Sequence, residues 1–367
     1  MSRTTREMFL GEGTPGAGAD GTQHLFVNLG PAHPAMHGII RIFAELDGEY
    51  VVKTDVEIGY LHRAFEKDCE IGPYNNAIPF TDRLNYVSPL INNFGYCSAV
   101  EKLLGIDVTD RCKYIRVLMS EISRICDHLT CVGASAMELG AFTVFLYMIK
   151  AREFLWELVE DVTGARLTIS YGRVGGVKAD LPAGFDTKVK TAFGETRQVL
   201  EEVHTLVTGN RIFMDRMVGV GALSKEETIA WAITGPLGRA AGVPFDVRKA
   251  QPYWAYDRMQ FEVPLGKNGD NFDRFLVRMQ EMEQSMRIAE QALEGLPGGS
   301  IQVDWEGHAI DPALFVDRGK QGKTEGLLLV PIQLSPNLQG QGRAAHGRVD
   351  VQDKRVVLPP KETAYGS

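Results

Sequence analysis

The apolar residues follow a helical period through most of the chain beyond Leu84. They recur at positions i, i+3, i+4 and i+7, which places them on one face of a helix. Asp110 is suited to precede the first turn of one such helix, and Gly164 is suited to end another. Long helices joined by short loops pack as an antiparallel bundle, so the pattern predicts a helical bundle. The predicted helices cover residues 92–104, 114–137, 142–162, 185–207 and 271–296.

Residues 25–60 have a different pattern, which predicts β-structure. The stretch 39–46 is rich in apolar and β-branched residues, and the stretch 49–53 follows it after Asp47-Gly48. Asp-Gly is a frequent pair in tight β-hairpin turns because both central positions need a positive φ. We therefore predict a hairpin that turns at Asp47 and Gly48.

Together these patterns predict an α+β protein with an antiparallel β domain followed by a bundle of long helices. The first residues are rich in Gly and Thr without an apolar core, and after Gly298 the helical period is lost. The predicted divisions are a flexible tail at 1–22, a β domain at 23–66, a helical bundle at 67–297 and an irregular segment at 298–367.

Charge and cysteine content exclude some classes of function. The net charge of −8 argues against a phosphate-binding surface, so nucleic acid is not an expected partner. The five cysteines form no Cys-x-x-Cys pair, which argues for reduced thiols and against a zinc or iron–sulfur site built by this chain alone.

Residues 129–149 imitate a membrane span, since about 20 apolar residues suffice to cross a bilayer. Glu138 and Gly140 interrupt the segment, and charged helices flank it. We predict a buried pair of helices here, with no signal peptide or anchor at the N-terminus.

The segment from Gly30 to Gly38, with the sequence Gly-Pro-Ala-His-Pro-Ala-Met-His-Gly, is the first candidate for chemistry. It holds His33 and His37 between prolines and glycines, which restrict the backbone. Imidazole titrates near neutral pH, so a fixed histidine in a loop is a candidate for proton transfer. A purely structural role for these histidines remains the alternative.

Three further segments carry candidate residues. Residues 57–67 are dense in His, Arg, Glu and Lys; residues 80–88 place Arg83 and Tyr86 one helical turn apart; residues 136–141 place Glu138 in an apolar helix. Each also has a structural interpretation, in which Arg83 caps or pairs, Tyr86 belongs to the core and Glu138 satisfies a neighbour. A buried carboxylate is rare without a partner, so Glu138 is expected to have one.

In this order, the segments resemble the 49-kDa-type subunit of respiratory complex I, the NADH:quinone oxidoreductase, which is related to the large subunit of nickel–iron hydrogenases. The resemblance covers about residues 27–300. The motifs that carry it are Gly30-Pro-x-His-Pro-x-x-His-Gly-x-x-Arg41, Ile58-Gly-Tyr-Leu-His-Arg63, Phe65-Glu-Lys67, Asp82-Arg-Leu-x-Tyr-Val-Ser88, Ala99-Val-Glu-Lys-Leu-Leu104, Ile115-Arg-Val-Leu118, Gly164-Ala-Arg166, Gly175-Gly-Val177, Asp246-Val-Arg-Lys249, Pro252-Tyr253 and Phe261-Glu-Val-Pro-Leu-Gly266.

The resemblance implies a hydrogenase-like fold and a subunit that reduces quinone. His37 and Tyr86 match the residues that hold the two quinone oxygens, and Glu138 matches a helix carboxylate, Asp in most relatives, that pairs with the histidine. As electrons arrive, each quinone oxygen gains negative charge, which a positioned donor stabilises and protonates.

The resemblance also implies residues that contact cofactor or substrate without reacting. Arg83 matches an arginine beside the terminal iron–sulfur cluster of a neighbouring subunit, and Arg63 matches a basic residue near that interface. Thr168 stands where many members have a histidine close to that cluster, and His33 belongs to the same binding group as His37.

The implied setting is the peripheral arm of complex I, on the cytoplasmic face of the bacterial inner membrane. The implied partners are the subunit that carries the 4Fe-4S cluster, other peripheral-arm subunits and a membrane-arm subunit at the quinone entrance. Quinone is the substrate, this chain binds no metal, and quinone reduction is coupled to proton translocation.

Three departures from the family and its hydrogenase relatives matter. Asn85 and Ser88 stand where hydrogenases have nickel-binding cysteines, and neutral oxygens do not replace soft thiolates around nickel. Thr168 does not titrate, which predicts a cluster potential with little pH dependence and favours a lower-potential quinone such as menaquinone. Family members also continue beyond the length of this chain, so the sequence is expected to be a fragment or to lack the C-terminal part of the site.

Other functions remain open from the sequence. One is the equivalent subunit of a quinone oxidoreductase that receives electrons from ferredoxin or a deazaflavin, since electron input belongs to other subunits. Another is a truncated, non-catalytic scaffold. A hydrogenase would require bound nickel.

Overall fold

The structure is a computed structural model that describes residues 24–33, 38–48, 50–303, 348–350 and 355–357, the last two segments as backbone strands. The predicted tail at 1–22, His37 and most of the predicted irregular segment lie outside the described residues. Packing divides the chain into two compact units, Met1–Glu66 and Lys67–Ser367.

The first unit contains a three-stranded antiparallel sheet, as the α+β prediction requires. The strands β1, β2 and β3 lie side by side in chain order, and β2 contributes the buried residues Phe43 and Ala44. Strand β3 is an edge strand, and most of its side chains are exposed. The strands are β1 Leu25–Leu29, β2 Arg41–Asp47 and β3 Tyr50–Glu57.

The predicted hairpin forms, but its turn lies one residue later than predicted. Asp47 is the last residue of β2 and pairs with Tyr50, so the connecting residues are Gly48 and Glu49. Gly48 has a φ of +59°, a conformation that glycine adopts without a Cβ clash. The register shifts by one residue at Glu45/Leu46, and this bulge moves the turn away from the position that the dipeptide signal indicates.

The helices confirm the predicted long-helix architecture. All five predicted helices are present, with ends that differ from the predicted ones by a few residues. The helices are α1 Phe65–Ile71, α2 Ile78–Thr81, α3 Pro89–Leu104, α4 Asp110–Glu138, α5 Phe142–Thr163, α6 Phe185–Thr208, α7 Arg211–Met217, α8 Lys225–Ala230, α9 Gly235–Ala240, α10 Val247–Ala250 and α11 Asn271–Glu294. Two short hairpins complete the described elements: β4 Gly172–Arg173 with β5 Gly176–Val177, and β6 Arg348–Asp350 with β7 Arg355–Val357.

Helix α4 is the centre of the helical unit. It packs against α5 and α11, and α5 in turn packs against α6. Ile115, Ile122 and Leu129 are fully buried and lie seven residues apart, which keeps them on one face of α4. This apolar period explains both the helix and the burial of the face that meets its neighbours.

The ends of the long helices follow from local chemistry, with one correction. The predicted N-cap Asp110 is the first residue of α4, and Thr109 is the cap instead: its Oγ1 accepts from the Cys112 amide at 3.2 Å. The same hydroxyl donates to the Ser300 carbonyl oxygen at 2.6 Å, a contact that the local sequence does not reveal. Gly164 ends α5 with a φ of +83°, as predicted.

Residues 129–149 form the end of α4, a short linker through Gly140 and the start of α5, which agrees with the predicted helix pair. Within the part of the chain that the structure describes, every helix is too short or too polar to cross a membrane.

Candidate functional site

The loop between α2 and α3 presents Tyr86 on the surface of the helical unit. Asn85 fastens this loop, because its side-chain amide donates to Ser88 Oγ at 2.8 Å and to Asp127 Oδ1 on α4 at 3.1 Å. The Tyr86 side chain is 61% exposed. The loop therefore buries its amide anchor and leaves the phenol accessible, so the alternative that Tyr86 belongs to the core is wrong.

Asp82 holds the beginning of the same loop. Its buried carboxylate accepts from the Ser170 amide at 3.0 Å, from Ser170 Oγ at 2.7 Å and from Asn93 Nδ2 at 2.7 Å. Burial raises the pKa of Asp82, although the hydrogen bonds from Ser170 and Asn93 act in the opposite direction. The carboxylate joins two segments that lie 88 residues apart in the sequence.

That junction brings Arg83 and Thr168 into the same region of the helical unit. Arg83 directly follows Asp82, and Thr168 lies two residues before Ser170; both side chains are exposed. The Arg83 guanidinium donates to the Pro79 carbonyl oxygen at 2.5 Å and lies 3.5 Å from Asp82 Oδ2. Arg83 therefore pairs only loosely, and its charge is available to a group outside this chain.

Glu138 differs from the expectation of a buried carboxylate. It is the last residue of α4 and is exposed, whereas Ala136 on the same turn is buried. The helical rotation of about 100° per residue separates the two side chains. A negative charge at the C-terminus of a helix is unfavourable to the helix dipole, so helix stability does not explain a carboxylate at this position.

The remaining candidates, His33 and Arg63, lie in the first unit and are exposed. Gly30, at the base of the histidine loop, has a φ of +89°, and a Cβ there would lie 1.9 Å from the Ile40 carbonyl oxygen. The glycine is therefore required by a close approach of two backbone segments. Residues 34–37, and with them His37, lie outside the described residues.

A cavity of about 520 Å³ lies behind the Tyr86 loop. Asn85 and Ser88 line it, and Cys131 is the one cysteine in its wall. Other charged or polar residues in the wall are Asn92, Arg124, Asp127, His128, Thr234, Arg239, Asp246, Arg248 and Arg278. Among the described residues, no three His, Cys, Asp or Glu side chains converge as a metal site would require.

Most of the charges around the cavity are paired. Arg248 contacts Glu121 at 3.0 Å and Asp246 at 2.6 Å, while Glu281 accepts from Arg239 and lies 2.8 Å from His128 Nε2. Such pairing satisfies the buried arginines, so the wall is polar without a strong excess of either charge.

These pairs keep the buried carboxylates ionised. Burial would raise the pKa of Glu121, but Arg124 and Arg248 lower it to about 2. Against the same effect of burial, His128 and Arg239 lower the pKa of Glu281 to about 2, and Arg248 lowers that of Asp246 to about 2.

Sequence reasoning missed the polar residues that hold this core together. Arg116 on α4 is fully buried and donates to both oxygens of Glu101, at 2.7 and 2.6 Å, and to the Gly176 carbonyl oxygen at 2.9 Å. A charged residue inside an apolar helical face was the available signal, since a buried charge implies a buried partner. His128 on the same helix is buried as well.

Comparison with known proteins gives a consistent family. The family model of the respiratory-chain NADH dehydrogenase, 49 Kd subunit, matches residues 138–325. The chain is 52% identical over 284 residues to an NADH-quinone oxidoreductase D-chain protein of Sorangium cellulosum, covering 77% of this chain and 70% of that protein.

Two further relatives with the same designation agree. The protein of Myxococcus xanthus is 50% identical, with 77% of this chain and 68% of that protein covered. The protein of Anaeromyxobacter dehalogenans is 48% identical, with 84% of this chain and 70% of that protein covered.

Proposed function

The chain belongs to the 49-kDa subunit family of the respiratory-chain NADH dehydrogenase, and on that premise we propose that it is the quinone-binding subunit of a complex I-type enzyme. Two electrons from the terminal iron–sulfur cluster of a partner subunit and two protons convert a quinone to a quinol. This chain supplies the residues that orient the quinone and deliver protons, and the reaction is coupled to proton translocation.

The observation that carries the proposal is the anchored loop from Asp82 to Ser88. Asp82 and Asn85 fix it from inside through Ser170 and Asp127, while Tyr86 is left exposed. A phenol held in this way donates a hydrogen bond to a quinone oxygen and transfers its proton as negative charge develops there.

His37 is the proposed donor to the second quinone oxygen, with Glu138 as the carboxylate that orients it. A carboxylate beside an imidazole favours the protonated ring, which makes the ring a better proton donor. The exposed position of Glu138 at the end of α4 supports this role, because a group that pairs with another segment has to be accessible.

Arg83, Thr168, Arg63 and His33 are proposed to surround the electron entry and the substrate. A cluster gains negative charge on reduction, and the loosely paired Arg83 guanidinium would stabilise that charge by Coulomb attraction. The cluster itself belongs to the partner subunit. Asn85 and Ser88 at the cavity wall are poor ligands for nickel, which argues against a hydrogenase.

The proposed partners are the cluster-bearing subunit, other subunits of the peripheral arm and a membrane-arm subunit at the quinone entrance. The proposed location is the cytoplasmic face of the bacterial inner membrane. Exposure of both Tyr86 and Arg83 supports a shared pocket, with this chain as one wall and the cluster-bearing partner as the other.

The test is quinone reduction by native membranes that carry His37→Ala or Tyr86→Phe. We expect each change to lower kcat by about 10²-fold, the usual contribution of one proton-transferring group. Reduction of a water-soluble acceptor by the same membranes should be unchanged, since electrons then leave before the quinone.

The matched control is Tyr50→Phe, which removes another exposed phenol, on the edge strand of the first unit. Its kcat should equal that of the unmodified protein. Unchanged quinone reduction in both His37→Ala and Tyr86→Phe would contradict the proposed site and favour the scaffold alternative.

A further inference from the structure

Arg152 is a half-buried cation on α5 that none of the family motifs includes. Its guanidinium carbon lies 3.9 Å from the centre of the Trp156 ring, and its Nη1 donates to Thr130 Oγ1 on α4 at 3.0 Å. Thr130 Oγ1 in turn donates to the Cys126 carbonyl oxygen at 2.8 Å. The stacking and the hydrogen bond hold the cation in one position.

Unlike the other buried arginines, Arg152 is incompletely satisfied. Arg116, Arg239 and Arg248 each pair with a carboxylate. Within the described residues, Arg152 has no carboxylate at ion-pair distance, and its buried Nε has no hydrogen-bond acceptor. A desolvated cation without a counter-ion is unfavourable for folding, which suggests that the charge has another use.

The adjacent carboxylate does not meet this need. Glu153 pairs with Arg166, which also pairs with Glu160. Arg152 is thus left with a neutral hydroxyl, Thr130, and an aromatic face, Trp156, as its direct contacts.

Tyr86 is within electrostatic range of this cation. Burial lowers the pKa of Arg152, while negative charge on Cys126, Glu153 or Tyr86 would raise it. A guanidinium remains protonated at neutral pH despite such a shift. Because the coupling between two sites is reciprocal, a charge on Arg152 stabilises an anionic Tyr86 as much as that anion stabilises Arg152.

We propose that Arg152 is a positioning residue that stabilises the negative charge left on Tyr86 when its phenol protonates the reduced quinone. The inference rests on the proposed function of Tyr86. In the step concerned, two electrons have come from the partner's iron–sulfur cluster, the Tyr86 O–H bond breaks and an O–H bond forms on the quinone. The second proton comes from His37, and water returns a proton to Tyr86 afterwards.

The test is a double-mutant cycle in membranes that carry the assembled enzyme, with Tyr86→Phe, Arg152→Gln and the double variant. We expect Arg152→Gln to lower kcat for quinone reduction by about tenfold, the scale of one charge interaction at intermediate dielectric. The KM should not change. In the Tyr86→Phe background the same change should alter kcat less than about twofold, because the phenolate no longer forms.

Conservative rescue separates charge from packing. Arg152→Lys keeps the cation and should retain most of kcat, although it loses the planar stack on Trp156. Arg152→Met keeps an unbranched stem against Trp156 without the charge and should behave as Arg152→Gln; it replaces that variant in the cycle if the glutamine variant does not accumulate.

The control is Arg197→Gln on α6, which removes a partly exposed arginine paired with Glu283 and Glu290 on α11. Its kcat should be unchanged. Equal losses from Arg152→Gln in the presence and absence of the Tyr86 phenol would overturn the inference, since they would indicate a packing role. An inactive Tyr86→Phe with additive Arg152→Gln therefore differs from a fully active Tyr86→Phe, which would instead refute the proposed function.

Discussion

Individual side chains of the Tyr86 loop have opposite tasks. Asp82 and Asn85 are buried or half-buried and bind the loop to Ser170 and Asp127, whereas Arg83 and Tyr86 alternate with them and are exposed. Because each exposed residue is next to an anchored one, its backbone is fixed while its functional group is accessible. Motif and spacing identified Arg83 and Tyr86, but the anchors became apparent only through their distant partners.

The same alternation makes Thr168 a test at the scale of one residue. Thr168 is exposed, and Ile169 beside it is buried. A threonine does not titrate, so we expect the reduction potential of the partner's terminal cluster to vary little with pH. Thr168→His should introduce a slope that approaches about 59 mV per pH unit, the value for one proton per electron.

The measurement is a potentiometric titration of the cluster in assembled enzyme at several pH values. Thr168→Gln is the control, because it enlarges the side chain without adding a titrating group. A slope near the one-proton value in the unmodified protein would refute the prediction.

Among the elements, α4 decides most of the architecture. It packs on α5 and α11, and it carries Arg116, Glu121 and Asp127, whose partners lie in other segments. The apolar period fixed its helical state and its buried face in advance. The polar residues on that helix then determine which loops and hairpins lie against it.

The N-terminus of α4 provides a prediction at this scale. Thr109→Ala removes the cap of the Cys112 amide and the donor to the Ser300 carbonyl. We expect the free energy of unfolding to fall by about 1 kcal/mol, the typical value for loss of an N-cap. Thermal unfolding followed by circular dichroism measures the change.

Thr191→Ala is the matched control. Thr191 is exposed within α6, and its hydroxyl donates only to the carbonyl one turn earlier, that of Thr187. Alanine favours a helix interior, so this variant should be as stable as the unmodified protein or slightly more stable. Equal destabilisation by both changes would show that Thr109 has no special role as a cap.

At the scale of the whole molecule, buried ion pairs join segments that lie far apart in the sequence. Glu121 and Arg248 are separated by 127 residues, and His128 and Glu281 by 153. Each pair ties α4 to the second half of the helical unit, around the wall of the cavity. Their loss should therefore affect folding of the unit as a whole.

These pairs predict sensitivity to acid. In the folded protein the pKa values of Glu121, Asp246 and Glu281 are about 2, below the usual range for carboxyl groups. A lowered folded-state pKa adds stability above the unfolded pKa of about 4 and loses it as the pH falls toward the folded value. Asp82, whose pKa burial raises, acts in the opposite direction as a single group.

We therefore expect the free energy of unfolding to decrease steeply between about pH 5 and pH 2. Urea unfolding at a series of pH values measures it. Glu281→Gln should reduce stability at pH 7 and flatten this dependence, because Arg239 and His128 lose their charged partner. Glu283→Gln, in the partly exposed pair with Arg197, is the control and should have little effect. Stability independent of pH over this range would contradict the assignment.

The sequence by itself determined the local elements and the most recognisable part of the site. The apolar period specified the five long helices, Gly164 marked the end of α5, and ordered motifs identified Arg83 and Tyr86. These features depend on residues close together in the chain, where spacing is a direct record of geometry.

Only the tertiary structure decided the rest. The turn at Gly48, the exposure of Glu138, the junction of Asp82 with Ser170 and the contact of Arg152 with Thr130 all departed from, or were absent from, the local signal. Each depends on a register or a partner set by packing between distant segments. Such contacts leave no period in the sequence, so burial and pairing become definite only when the helices meet.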